Sequence, residues 1–247
     1  VGPVPIQPGE NISVSTNSFC FDGTYMLWES VGSDNSSLVL YSVNDNTTTI
    51  IDWGSAFIHK YSLGGGYVAW VEYPSGYFWN EVPELYLYTI HTGGIENIPV
   101  SGLQSINELA VSEALVAYMG TDESYDEQIK VYDLVTGTTA NIGDCMDFDV
   151  FYSLGAMAVS GHRLAFTYDC YDGNGADIYI YDNVRGEAYG IVTEDGNQDS
   201  LALYENMLVW VDEDNNITGD DVMIIDMYAP KSVLGDGAFG EVGREVT

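Results

Sequence analysis

The stretch YVAWVEYPSGYFWNEVPELYLYTIHTGG, residues 67–94, contains two short runs of large apolar side chains separated by a loop. Both runs, YVAW ending at Trp70 and LYLY ending at Tyr88, are rich in Val, Tyr, Leu and Trp, which favour a pleated, largely buried strand over a helix. The Gly-Gly pair at the end of the stretch is typical of a tight turn. The stretch therefore predicts an antiparallel hairpin followed by a turn.

The same two runs recur five times along the chain. The first run ends at Trp28, Trp70, Tyr118, Phe166 and Trp210, and the second ends at Tyr41, Tyr88, Tyr132, Tyr181 and Ile225. A weaker strand pattern follows the second run, and a short strand pattern precedes the first run, as in ELAVSE and GAMAVSG. Each unit is therefore predicted to be a four-stranded antiparallel meander.

Five repeats without a helical period predict an all-β fold, a five-bladed β-propeller built from four-stranded meanders. A meander of this size cannot bury its own faces, so we expect the repeated rings to pack between neighbouring blades. We expect one domain over residues 1–247. Its blades are predicted at about 17–60, 61–107, 108–150, 151–200 and 201–247, with residues 1–16 as a candidate for closing the last blade.

Two units carry a resemblance to a known family. GGGYVAW with ELYLYTIHTGG, and SGHRLAF with ADIYIYDNVRG, resemble the TolB-like, WD40-like repeats of bacterial periplasmic propellers and archaeal cell-surface proteins. The resemblance extends from about Asn17 to Lys231. The fifth unit departs from it, with APK where Thr-Gly is usual, and TolB itself is expected to have six blades and a second domain. The resemblance implies the fold and says little about function, since core and turn positions define the repeat.

The charge balance is strongly acidic: 38 Asp and Glu against 6 Lys and Arg give a formal net charge of −32. Such a surface repels phosphate backbones and anionic lipid headgroups, so we expect no nucleic-acid partner. Because no apolar run approaches about 18 residues, we also expect no direct membrane insertion. An acidic coat suits an extracellular or cell-surface location, or high salt.

Sequons and cysteines bear on export. N-x-S/T glycosylation acceptors occur at Asn11, Asn35, Asn46 and Asn216. The three cysteines allow at most one disulfide. Cys145 and Cys170 form the more natural pair, and free buried thiols are the open alternative. These features agree with an exported glycoprotein.

The loop in the opening stretch is a candidate contact site. In a meander, the loop between the second and third strands emerges at the same end as the link to the next unit. In the second unit Tyr88 lies 18 positions after Trp70, against spacings of 13 to 15 in the others, and insertions in repeats tend to lie on the binding face. We therefore expect Tyr73, Tyr77, Phe78 and Trp79 to contact a partner or ligand. The alternative is that these rings cover the adjacent blade.

Two further loops have the oxygen density that calcium requires. Asp212, Asp214 and Asn216 alternate like the start of a calcium loop, and Asp169, Asp172, Asn174 and Asp177 form a second oxygen-rich hairpin. However, Ile217 stands where a helical calcium-binding loop requires Gly, and turns favour Asp and Asn in any case. Calcium is thus a candidate cofactor, with a plain turn as the alternative.

Together these patterns favour a non-catalytic extracellular propeller that acts as a structural or protein-interaction module of a surface layer, sheath, filament or adhesin. Its expected partners are other surface proteins or copies of itself. The alternative is a carbohydrate-binding or glycoside-hydrolysing five-bladed propeller. Hydrolysis would need two carboxyl groups facing each other across a sugar. The acids nearest the inner strands are Asp22, Glu108, Glu113 and Glu205.

Overall fold

The computed structural model describes residues 13–31, 36–51, 57–74, 82–142, 154–169, 175–193, 196–213 and 221–227. Within these residues the fold is all-β and consists of five antiparallel sheets. The strands of each sheet follow one another in chain order, so every sheet is a meander. This confirms the predicted antiparallel meander and its strand order, with four strands in four of the described sheets.

The first sheet comprises β1 (Ser13–Phe21), β2 (Tyr25–Val31), β3 (Ser36–Ser42) and β4 (Thr47–Ile51). The second comprises β5 (Phe57–Gly64), β6 (Tyr67–Tyr73), β7 (Glu84–Thr89) and β8 (Gly94–Ile98). The third comprises β9 (Glu108–Val111), β10 (Leu115–Thr121), β11 (Glu127–Asp133) and β12 (Thr138–Asn141). Residues 13–16, which we considered for closing the last blade, thus belong to the first sheet, since Ser13 and Val14 pair with Val31 and Ser30.

The fourth sheet comprises β13 (Leu154–Ser160), β14 (Arg163–Asp169), β15 (Ala176–Asp182) and β16 (Glu187–Val192). The fifth comprises β17 (Asn197–Tyr204), β18 (Met207–Glu213) and β19 (Asp221–Asp226). The described residues therefore give the fifth sheet three strands where the repeat predicts four.

The repeated rings lie where neighbouring sheets meet. Trp70 packs with Leu27 and Leu38 of the first sheet. Tyr118, Phe166 and Trp210 each pack in the same way on the sheet that precedes their own. All four rings are at most 4% exposed. The predicted role of the rings as packing between adjacent units is confirmed at these four junctions.

The turns that follow the first strand of each unit also touch their neighbours. A Cβ added at Gly65 would lie 2.0 Å from the backbone nitrogen of Glu113, so the second sheet's turn rests directly on the third sheet. The Ser112 hydroxyl donates to the carbonyl oxygen of Gly161 in the fourth sheet at 2.8 Å. The Glu205 amide in the fifth sheet donates to the Ser160 hydroxyl at 2.8 Å. Turn contacts thus accompany the ring packing from the second sheet to the fifth.

The first and last sheets each carry exposed apolar side chains. Phe19 and Phe21 on β1 are 69% and 56% exposed, and Val222 on β19 is 48% exposed. By contrast, Leu115–Met119 on β10, the second strand of the third sheet, are all buried. The two sheets at the ends of the array thus carry apolar side chains that remain exposed among the described residues.

Candidate functional site

A cavity of about 660 Å³ lies between the second and third sheets. Its walls come from the start of β5, the end of β6, the link between β8 and β9, and the turn between β10 and β11. These are the strand ends and connections that the meander places at one end of the molecule. We call this cavity the rim cavity.

Tyr73 is the one residue of the expected aromatic contact set that the structure describes. It is the last residue of β6, only 1% exposed, and its hydroxyl accepts a hydrogen bond from the Ile106 amide at 3.3 Å. Burial raises the pKa of Tyr73, and the bond from Ile106 partly offsets the rise. Tyr73 therefore belongs to a strand, the core and the wall of the rim cavity, not to the exposed loop where we expected it.

The remaining three rings of that set, Tyr77, Phe78 and Trp79, lie outside the described residues. Their role as partner or ligand contacts stays a prediction. Their loop is the longest of its kind, since residues 74–83 separate β6 from β7 whereas residues 122–126 separate β10 from β11.

His59 enters the rim cavity because β5 carries a bulge. The pairing of β5 with β6 shifts between Ile58 and Lys60, which makes His59 the extra residue. Its ring meets that of Tyr73 edge to face, with centroids 5.7 Å apart. Burial lowers the pKa of His59, the neighbouring Lys60 lowers it further, and Glu108 partly offsets both. The imidazole is therefore neutral at pH 7 and can both donate and accept a hydrogen bond.

Tyr125 projects from the turn between β10 and β11 at the mouth of the cavity. The Asp122 carboxylate holds this turn: it accepts hydrogen bonds from the Ser124 amide at 2.8 Å and the Asp126 amide at 3.0 Å, and from the Gln128 side chain at 2.8 Å. Tyr125 has a φ of 67° and is 82% exposed. A bulky residue in the left-handed region is strained, and such strain clusters at functional sites.

The facing wall comes from the link between the second and third sheets. The Gln104 amide donates to the Thr121 carbonyl oxygen at 2.7 Å, and the Asn107 amide donates to that of Met119 at 2.7 Å. The Ser105 and Thr121 hydroxyls share a hydrogen bond of 2.8 Å. Within the part of the chain that the structure describes, the side-chain amides of Gln104 and Asn107 have no hydrogen-bond partner, and both residues are exposed.

A buried carboxyl group lies beside Tyr73 on β6. Glu72 is 4% exposed and accepts a hydrogen bond from the Trp70 indole at 2.6 Å. Burial raises the pKa of Glu72, the bond from Trp70 offsets part of the rise, and Glu84, opposite on β7, adds to it. The Tyr86 hydroxyl donates to Glu84 at 2.5 Å, and burial together with this carboxylate raises the pKa of Tyr86 to about 12.

The acids named for hydrolysis are spread over the molecule. Asp22 caps its own turn by accepting from the Thr24 and Tyr25 amides, and Glu108 forms an ion pair of 2.9 Å with Lys60. Glu113 and Glu205 line a second cavity of about 400 Å³ at the opposite end of the sheets, together with Arg163, Arg185 and Asp182. Asp182 lies 3.9 Å and 3.8 Å from these two arginines.

The calcium candidates are described only in part. Asp212 and Asp221 lie opposite each other on β18 and β19, and Asp177 on β15 is 9% exposed. Asp169 ends β14, while Asp172, Asn174, Asp214 and Asn216 lie outside the described residues. Among the residues that are described, no three His, Cys, Asp or Glu side chains are grouped to hold a metal ion. Calcium binding stays a prediction.

Of the glycosylation candidates, Asn46 alone is described. It lies exposed in the turn between β3 and β4, with a φ of 52°, and its side-chain oxygen accepts from the Tyr41 hydroxyl at 2.7 Å. Asn11, Asn35 and Asn216 lie outside the described residues, as do Cys145 and Cys170. Cys20 is a half-buried free thiol whose pKa is raised by burial.

Comparison with known proteins gives the fold its name. No protein-family model matches the chain, and no curated protein matches it. Among solved structures, TolB from Acinetobacter baumannii is similar over 83% of this chain and 49% of that chain, with 15% identity and a TM-score of 0.51. The fold is that of a TolB-like β-propeller.

Other solved structures share this propeller fold. A chain of the nidogen/laminin complex is similar over 85% of this chain and 74% of its own length, with 12% identity and a TM-score of 0.50. The acylaminoacyl peptidase of Pyrococcus horikoshii is similar over 94% of this chain and 38% of its own, with 13% identity and a TM-score of 0.60. At these identities the likeness shows the fold alone, and the chain spans about half the length of the TolB chain.

Proposed function

We propose that this chain is a non-catalytic extracellular five-bladed β-propeller that serves as a protein-interaction module of a surface layer, sheath, filament or adhesin. Its five consecutive sheets correspond to five blades, and the contact face is the end that carries the rim cavity and the long loop of residues 74–83. The partner is another surface protein or a second copy of the chain. The net charge makes nucleic acid and anionic lipid surfaces poor partners.

The observation that carries this proposal is the turn around Tyr125. The Asp122 carboxylate accepts three hydrogen bonds that hold this turn. In the turn, Tyr125 adopts a strained left-handed backbone conformation and its side chain is 82% exposed. Folding alone gains little from an exposed ring in the left-handed region, whereas exposed aromatic residues commonly anchor protein contacts.

Two more observations support it. The net charge of −32 favours an extracellular location and disfavours anionic partners. A similar propeller chain occurs in a solved complex of nidogen with laminin, which supports a protein partner for this fold. Within the described residues, no helix is both long and apolar enough to cross a membrane.

A site-specific cross-link tests the contact face. A photoreactive phenylalanine analogue would replace Tyr125 in one variant and Tyr204 in another, since Tyr204 is 73% exposed at the far end of β17. On irradiation at the surface of the source cells, we expect a discrete protein adduct from position 125, identifiable by mass spectrometry, and none from position 204. Equal labelling at both positions, or none at either, would contradict the proposed face.

Calcium binding by the acidic hairpins is a separate proposal. Asp212 and Asp221 face each other across two strands, where like charges are destabilising unless a cation lies between them. Calcium chloride should then raise the melting temperature more than sodium chloride at equal ionic strength, and Asp212→Asn should abolish the difference. Equal shifts for both salts in the unmodified chain would rule out the site.

A further inference from the structure

The walls of the rim cavity combine one exposed aromatic ring with several groups that both donate and accept hydrogen bonds. Tyr125 supplies an exposed ring at the mouth. Gln104 and Asn107 supply side-chain amides, and His59 supplies a neutral imidazole. An amide presents an oxygen acceptor beside two N–H donors, so it matches groups that themselves donate and accept.

The charge of the cavity limits the ligand further. Among the described wall residues there is no Lys or Arg, and Glu123 adds a carboxylate at the mouth. The net charge of the whole chain is −32. An anionic ligand would therefore be repelled. An ammonium group only donates hydrogen bonds, so it would leave the donor half of each amide unmatched.

The size of the cavity is that of a small-molecule site. Its volume of about 660 Å³ lies inside the range of roughly 300–1,000 Å³ that is usual for such sites. Three features hold the backbone that forms its walls: the bulge at His59, the hydrogen bond from the Gln104 amide to the Thr121 carbonyl oxygen, and the turn held by Asp122. A ligand would thus meet a wall that is already formed.

We infer that the rim cavity binds a neutral saccharide, whose ring stacks on Tyr125 and whose hydroxyl groups bond to the amides of Gln104 and Asn107. Hydroxyl groups both donate and accept, and the apolar face of a sugar ring suits an exposed aromatic ring. The sugar is either free or part of a glycan on a protein. This inference rests on the contact face proposed above, but it can fail while protein docking at that face stands.

The test uses defined trisaccharides and the full chain. Maltotriose, cellotriose and mannotriose represent neutral sugars, trigalacturonic acid an anionic sugar, and trilysine a cation. Titration calorimetry and saturation-transfer NMR should show saturable binding of at least one neutral trisaccharide. Tyr125→Asn, which suits the left-handed turn, and Gln104→Ala should each weaken that binding by about tenfold, equivalent to about 1.4 kcal/mol. Tyr204→Asn is the matched control and should change nothing.

Three results would overturn the inference. One is the absence of saturable binding for all three neutral trisaccharides. Another is equal affinity in the unmodified chain and the Tyr125→Asn variant, with circular dichroism confirming that both are folded. The last is tighter binding of trigalacturonic acid or trilysine than of every neutral sugar. A discrete cross-link at position 125 alongside any of these results would leave the protein-docking proposal intact.

Discussion

Glu72 shows how one buried group can make stability depend on pH. Its carboxyl group is 4% exposed, burial raises its pKa, and Glu84 lies opposite on β7. A raised pKa in the folded state means that folding disfavours the charged form. The carboxyl group therefore destabilises the fold increasingly as the pH rises through and above its ordinary pKa, and this cost disappears on acidification.

We predict that Glu72→Gln raises the melting temperature at pH 7, because the amide removes the buried charge and its oxygen still accepts from the Trp70 indole. The advantage over the unmodified chain should shrink as the pH falls towards 4, where the carboxyl group of Glu72 is neutral. Glu96→Gln removes the same charge from an exposed site on β8 and serves as the control. A larger gain at pH 4 than at pH 7 would contradict the prediction.

The sequence was least informative about the site at the level of single residues. Tyr73 was expected in an exposed loop, yet the strand β6, buried from Val68 onward, extends through it. Tyr125 was not singled out, although Asp122 three residues earlier is the type of residue that holds a turn by its side chain. The cavity itself depends on a bulge at His59, and bulges carry no reliable signal in one sequence.

The turn between β11 and β12 links two neighbouring sheets through one carboxylate. Asp133 accepts hydrogen bonds from the Val135 and Thr136 amides at 2.8 Å and 2.7 Å, and from the Asn183 side chain of the fourth sheet. These bonds lower the pKa of Asp133, with the Thr136 amide as the largest cause. Its stabilisation is therefore present above the ordinary Asp pKa of about 3.9 and is lost as the pH falls through the lowered value.

We expect Asp133→Asn to reduce the free energy of unfolding at pH 7 by about 1 kcal/mol, since hydrogen bonds to a charged acceptor are the stronger ones. The gap to the unmodified chain should narrow as the pH falls from the ordinary Asp value towards the lowered pKa of Asp133. Urea unfolding at pH 7 and at pH 3 measures both effects. Asp45→Asn removes a charge from the turn between β3 and β4, and an equal loss there would mean that the effect is not specific to Asp133.

The contact between the second and third sheets depends on a glycine turn. Gly65 and Gly66 both have positive φ angles, 59° and 86°, so alanine at either site is strained. A Cβ at Gly65 would lie 2.0 Å from the Glu113 nitrogen, whereas a Cβ at Gly66 would meet nothing within 4 Å. The two sites thus separate backbone strain from a clash between sheets.

We predict that Gly66→Ala costs about 1–2 kcal/mol of unfolding free energy, which is the cost of the strained backbone. Gly65→Ala should cost several kcal/mol more, because the third sheet must move to make room. Urea unfolding of both variants, followed by tryptophan fluorescence, measures the difference. If the two variants lose the same stability, then the second and third sheets do not pack as tightly as this geometry implies.

Strands and their order could be predicted because they depend on local alternation and on turn residues. The ring at the end of each first run follows the same logic, and four of the five rings pack on the preceding sheet. The pattern for a fourth strand in the fifth unit is weaker, with APK at residues 229–231 in place of Thr-Gly, and these residues lie outside the described part of the chain. Local patterns were therefore enough to predict the sheets and their order along the chain.

Ring closure is a property of the whole molecule that the repeats do not encode. It requires the first sheet to meet the last, and the exposed Phe19, Phe21 and Val222 lie on those two sheets. No repeated motif specifies which surface covers these side chains. The closed ring of five blades is for this reason a proposal. The TolB-like propeller fold itself follows from the comparison with solved structures.

The net charge also acts on the whole molecule. A chain with 38 acidic and 6 basic residues, and a pI near 4.1, repels itself when folded at neutral pH. The distance over which this repulsion acts is about 30 Å at 0.01 M salt and about 8 Å at 0.15 M.

We therefore predict that raising sodium chloride from about 0.01 M to about 0.15 M raises the melting temperature at pH 7, as distant carboxylates become screened from one another. At pH 4 the net charge is near zero, so the same salt increase should leave the melting temperature unchanged. Differential scanning calorimetry at both pH values measures the effect, and an equal salt dependence at pH 4 and pH 7 would show that sodium chloride acts by something other than screening.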